Sequence, residues 1–218
     1  MKDLSVFNQF IYYFQHNGMY VLDQFIKHFL ISLYGVLFAC IVGIPIGIWI
    51  SNKRRLRNIV ISAANVIQTI PSLAMVSILI VVFGLGSNTV IFSVFLYSLL
   101  PIIRNTVTGI RNISDDLLDA AEGMGMTRGQ IISKVKLPIA LPVLMAGIRN
   151  ALVIGIGVTA IGTFVGAGGL GDIISRGVNA TDGTAIILAG TIPTAFMTIF
   201  ADFVLGKIEK KLSPGRAE

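Results

Sequence analysis

The chain has 218 residues, of which 54% are hydrophobic and only 13% charged, and it carries a formal net charge of +6. Soluble globular domains carry about 25% charged residues, so this composition, with a mean hydropathy of +0.82, excludes an ordinary soluble enzyme, a disordered chain and a nucleic-acid-coating protein. The single cysteine, Cys40, rules out an internal disulfide and a cysteine zinc site, and His16 and His28 have no metal-ligand spacing around them. What remains is an all-α integral membrane protein.

Taken in chain order, the first feature is an aromatic-rich stretch holding Phe7, Phe10, Tyr12, Tyr13, Phe14 and Tyr20. Aromatic rings gather at headgroup level, so residues 1–26 are expected to form an N-terminal interfacial segment, with a sixth crossing as the alternative. From His28 to Asn52 there is no Asp, Glu, Lys or Arg, and the run ends at Trp49 and the Lys53–Arg54–Arg55 cluster. That is long enough for a membrane helix of about 20 residues, and too long for a cleaved leader. Asn58 to Ile103 also lacks charge; at about 46 residues, roughly 69 Å as helix, it holds two crossings and a turn. The turn falls at Gly84–Leu85–Gly86–Ser87–Asn88. Leu141–Val165, interrupted only by Arg149, and Gly183–Leu205, with Asp202 near its end, complete about five transmembrane helices.

Orientation follows from the basic residues, which favour the cytoplasmic side. Lys53, Arg54, Arg55 and Arg57 lie in the first loop, and Arg104, Arg111, Arg128, Lys134 and Lys136 are expected in the long loop from Arg104 to Pro138. Lys207, Lys210, Lys211 and Arg216 lie in the tail, so these regions hold thirteen of the seventeen Lys and Arg. Five crossings place all three regions on one side. The N-terminus is outside, the C-terminus is cytoplasmic, and the basic excess marks topology, with no nucleic acid partner implied. The domain boundaries expected are 27–207 for the membrane domain and 208–218 for a cytoplasmic tail.

Connections between neighbouring helices are usually short, yet Asn112–Pro138 runs NISDDLLDAAEGMGMTRGQIISKVKLP. Ser114 is placed to cap a helix whose first turn holds Asp115 and Asp116, the favourable sign for that end of the dipole. Gly123 or Gly125 should stop it. Thr127 and Gln130 have capping-box spacing for a second helix, and Pro138 leads the chain back into the membrane. The physical reading is two short amphipathic helices around a glycine elbow. Docking to a partner and simple cover for the bundle base are both compatible with it.

Asp119–Ala120–Ala121, three residues, Gly125, nine residues, then Val135–Lys136–Leu137–Pro138 resembles the Glu-Ala-Ala loop of binding-protein-dependent ABC importer permeases. The departures are Asp119 for Glu and Val135 for Ile. Gln68–Thr69–Ile70–Pro71–Ser72–Leu73–Ala74, Tyr97–Ser98–Leu99–Leu100–Pro101–Ile102, Arg104–Asn105–Thr106 and the glycine run 166–171 are similar to the glycine betaine, carnitine and choline subgroup. Methionine importers share the glycine run, and methionine or another amino acid is the alternative solute. The resemblance implies a bacterial-type plasma-membrane permease that works as a dimer with an identical or homologous second permease. Its further partners would be a cytoplasmic ATP-binding subunit and an external substrate-binding protein. Asp119, Ala120, Ala121, Gly125, Leu137 and Pro138 would then couple it to the ATPase.

Other patterns are declined. Residues 166–171 match Gly-x-Gly-x-x-Gly, but a membrane helix precedes them where a dinucleotide site needs a strand; a tight turn with close helix packing is the better reading. No phosphate-binding Gly-x-x-x-x-Gly-Lys-Ser/Thr occurs, so no cofactor is expected in this chain, and ATP and Mg would belong to a partner. No catalytic constellation appears, and an enzyme is not expected. Gln68, Pro71, Arg149 and Asp202 are candidates for the pathway or an interface, since ionisable residues within spans usually face a bundle interior or a polar cavity. Arg149 and Asp202 could pair, with Asp202 reaching the interface as the alternative. Gly35, Gly43, Gly47, Gly147, Gly155, Gly157 and Gly162 are expected to let helices approach closely. An ATP-independent channel or carrier is the rival class.

Overall fold

A computed structural model describes residues 5–213, all of whose regular structure is helical. α1 spans Val6–Ile50, α2 Arg54–Thr69, α3 Ser72–Phe83 and α4 Ser87–Arg111. α5 covers Asp115–Gly123, and α6 (Arg128–Gln130) leads through a π-helical turn at Ile131–Lys136 into α7, Leu137–Ile161. A 3-10 turn at Gly162–Val165, α8 (Leu170–Val178) and α9 (Thr184–Leu212) follow. Four helices are long and apolar enough to cross a membrane, and five when α2 and α3 count as one bent span.

The first of the two crossings expected in Asn58–Ile103 is itself bent. The residue before a proline is driven out of the helical region, and Ile70 (ψ 127°) and Pro71 (ψ 138°) are both extended. The chain turns through 99° between α2 and α3. The next turn lies where expected, with Gly84 and Gly86 at φ of +72° and +118°.

The N-terminal stretch forms part of one long helix with the first span. α1 is 45 residues long, about 68 Å against a hydrocarbon thickness of about 30 Å. No break marks residue 26. Phe10, Tyr13, Phe14 and Tyr20 pack against the core, so apolar side chains hold this part of the helix along the bundle. At the other end, α9 continues past the expected boundary at 207; residues 214–218 of the expected tail lie outside the described residues.

α4 is the hub, packed chiefly between α1 and α7, and Val36, Val90, Val94, Ile102 and Ile156 fill the core around it. The close approach depends on small residues. A β-carbon on Gly35 would lie 2.5 Å from Val94 Cγ1, and one on Gly155 would lie 2.9 Å from the same atom. Gly47 meets Thr106, Gly147 meets Asn105, Gly162 meets Val90 and Gly43 meets Ile102 in the same way, whereas Gly157 faces open space. Six of the seven packing glycines are therefore at contacts. Gly35→Ala should destabilise the permease by about 1–3 kcal/mol through overpacking, read as a lower thermal midpoint in detergent. Val94→Ala in the same chain should restore part of the loss.

Candidate functional site

At the cytoplasmic end, α5 and the π-turn pack on each other. Ser114 occupies the N-cap position of α5 without a side-chain capping bond, so its expected cap is not made; Asp115 and Asp116 still complement the dipole there. The far end is a Schellman motif. Met126 N donates to Ala121 O (3.2 Å) and Gly125 N donates to Glu122 O (2.9 Å), with Gly125 at φ +76°, the left-handed position such a motif demands. Ala121 is 2% exposed and seats the helix, while Leu117 (43%) and Met124 (75%) stand open, as do Asp119 and Ala120.

The second half of the loop begins with the expected capping box, in which Thr127 N donates to Gln130 Oε1 (2.8 Å) and Gln130 N donates to Thr127 Oγ1 (3.4 Å). The chain does not break at Pro138. Its ring excludes the carbonyl four residues back, and it has no N–H to offer, so the preceding turn widens: Leu137 N donates to Ile132 O, five residues away. Leu137 and Pro138 thus sit inside one rod that leads from the loop into the membrane.

Within the membrane, the break at Pro71 frees backbone groups that side chains recover. Tyr97 Oη donates to Ile70 O, and Gln68 Nε2 donates to Tyr97 O at 2.9 Å. Beside this break lies a cavity of about 280 Å³, lined by Gln68, Leu100, Pro101, Arg104, Asn105, Asn150, Val153 and Ile154. Pro71 is exposed next to it in sequence but does not line it.

Arg149 and Asp202 come together elsewhere. Arg149 Nε and Nη2 donate to the two oxygens of Asp202 at 2.5 and 2.9 Å, and Nη1 donates to Glu209 at 3.3 Å. This planar, two-pronged pairing joins α7 to α9. It borders a separate cavity with Lys207 and Lys210, so the four intramembrane candidates form two groups. Their shared signal in the sequence was charge or polarity inside a span, which reports depth but not direction around the helix.

The outer end holds a cluster that the sequence reading left without a role. His28 is fully buried; its Nε2–H donates to Ile156 O (2.9 Å), and its Nδ1 accepts from Leu170 N (3.2 Å), which fixes the tautomer by its partners. Gln24 Oε1 accepts from Gly169 N at 2.7 Å. Tyr20 Oη donates to Asp172 at 2.5 Å, and Arg176 Nε donates to the same oxygen at 2.9 Å. One face of α1 therefore holds the glycine run and α8. The i, i+4 spacing of Gln24 and His28 was the available signal. At Gly171 a β-carbon would fall 2.0 Å from Ala160 O, so the run is a close-packed turn, as expected.

Residues 43–214 match the family described as the binding-protein-dependent transport system inner membrane component. The chain is 62% identical to the glycine betaine/carnitine/choline transport system permease protein OpuCD of Bacillus subtilis, covering 97% of this chain and 92% of that protein. It is 60% identical to the carnitine transport permease protein OpuCD of Listeria monocytogenes, over 97% and 95%. Among solved structures, the inward-facing MetNI methionine ABC transporter superposes with a TM-score of 0.78 at 23% identity, covering 88% of this chain and 95% of that one; this similarity concerns the fold.

The α7–α9 ion pair carries its own prediction. Arg149→Met and Asp202→Met should each lower the thermal midpoint of the purified permease, and the double variant should lose less than the sum; strict additivity would mean the pair contributes nothing. With its helical bundle, its Schellman-capped cytoplasmic elbow and a match over most of its length, the chain belongs to the inner-membrane permeases of binding-protein-dependent ABC transport systems.

Proposed function

We propose that this chain is the permease subunit of an ATP-driven importer for small quaternary-amine osmoprotectants, namely glycine betaine, carnitine or choline, handed over by an external binding protein. The observation that carries the substrate class is near-full-length similarity to permeases named for those solutes, far above the similarity to the methionine transporter.

The cytoplasmic elbow is the coupling device. Asp119, Ala120 and Met124 present the open face of α5 to a groove on the ATPase, while buried Ala121 and left-handed Gly125 hold that face at a fixed angle. Leu137 and Pro138 extend the elbow into α7, so movement of the ATPase reaches the bundle without a loose joint. ATP and Mg are held by that subunit, and this chain does no chemistry of its own. A second permease, identical or homologous, completes the pathway, which runs past Gln68 and the break at Pro71. Arg149 and Asp202 serve as a structural clamp. The N-terminal half of α1 stands beyond the outer membrane face beside α8.

A β-carbon on Gly125 meets nothing within 4 Å, so substitution there acts through backbone strain alone, and β-branched residues bear it worst. In proteoliposomes holding the whole transporter, Gly125→Val should cut ATP-driven glycine betaine uptake about tenfold or more at normal membrane levels, while Gly125→Asn, which tolerates the left-handed region, retains most of it. Uptake by Gly125→Val at the unsubstituted rate would remove the coupling role. Uptake by the permease without its ATPase would remove the importer mechanism.

A further inference from the structure

We propose that the 280 Å³ cavity between α2, α4 and α7 is a transit site within the permease, at which the Arg104 guanidinium takes the carboxylate of a zwitterionic substrate. The inference rests on the substrate class proposed above and adds to it a site and a means of discrimination.

Arg104 lies seven residues before the end of α4, about 10 Å along the axis. A charge at that depth in a span faces a bundle interior or a polar cavity and is paired or functional. Among the described residues Arg104 has no carboxylate partner, and it is exposed on the cavity wall. The neighbouring amides each spend one of their two donors: Gln68 Nε2 donates to Tyr97 O at 2.9 Å and Asn105 Nδ2 donates to Pro101 O at 2.8 Å. Among the described residues, Arg104 alone of the lining side chains brings a positive charge to the cavity.

The sign of the site follows. No acid and no aromatic ring lines it, whereas a site for a bare quaternary ammonium would use one or the other. A guanidinium offers the two-pronged geometry that a carboxylate fits, and Leu100, Val153 and Ile154 offer apolar surface for methyl groups. The volume sits just below the usual range of roughly 300–1,000 Å³ for small-molecule pockets, which suits a solute of a few carbons. Glycine betaine and carnitine carry the carboxylate; choline carries a hydroxyl and a positive charge alone, which Arg104 repels. The cavity thus favours the zwitterions over the cation after both have left the binding protein.

The test is uptake of glycine betaine and choline by the complete transporter in proteoliposomes at saturating binding protein. Arg104→Gln should lower glycine betaine uptake about tenfold or more, the usual scale for a lost charge-assisted contact, and leave choline uptake unchanged or raised. Arg104→Lys, which keeps the charge but not the fork, should fall between, and it reports on the site should the glutamine variant fail to assemble. An unchanged ratio of the two uptakes, whether both fall together or neither moves, overturns the transit site and leaves the substrate class standing. An unsubstituted transporter that moves neither solute removes the substrate class, and this inference with it.

Discussion

A buried backbone group that loses its helical partner must find another away from water, and the arrangement of this chain depends on how that demand is met at two interruptions. At Ile70–Pro71 the freed carbonyl takes the hydroxyl of Tyr97. At the glycine run, the amides of Gly169 and Leu170 are taken by Gln24 and His28 of α1. Each interruption is thereby fastened to a different helix, α4 in one case and α1 in the other. The polar residues that make this possible are few, and each is buried or half-buried where a backbone group needs it.

Between these two fastenings, contact is maintained by what is missing. Val94 of α4 faces Gly35 of α1 and Gly155 of α7 at distances that leave no room for a β-carbon on either. Apolar side chains gain little from associating in lipid, so close backbone approach and its dispersion contacts hold such helices together. The Arg149–Asp202 pair adds a directed link between α7 and α9, on a different side from the Gln68 cavity. The hub therefore has tight apolar seams on two flanks and a polar hollow on a third.

Much of this was legible in the sequence because it is written in residue types. Absence of charge located the spans, glycines located the turns at residues 84–88 and 123–125, and Thr127 with Gln130 announced the capping box. The bend at Pro71 was harder to read, because a proline in a long apolar run is compatible with a kink or a full break; Tyr97, far away in sequence, decides it. The continuity of α1 through residue 26 was hidden by Gln9, Gln15, His16 and Asn17, which interrupt its apolar surface without interrupting its helix. At Pro138 the sequence marks the return to the membrane but not the widened turn that accommodates the ring without ending the rod. Where Arg149 and Arg104 point depends on rotation about their helices, which hydropathy does not encode.

That uninterrupted rod has a mechanical meaning. From Arg128 to Val165 it spans 38 residues, about 57 Å, so its ends reach both surfaces. Its lower end is the elbow beside α5; near its upper end Ile156 is held by His28 of α1. A beam tied at one end and pushed at the other pivots. The natural fulcrum is the seam where Gly147 and Gly155 press on α4. Asn150, which lines the Gln68 cavity, sits at that seam between the two glycines, so a tilt of the beam moves its two ends while this wall of the hollow turns nearly in place.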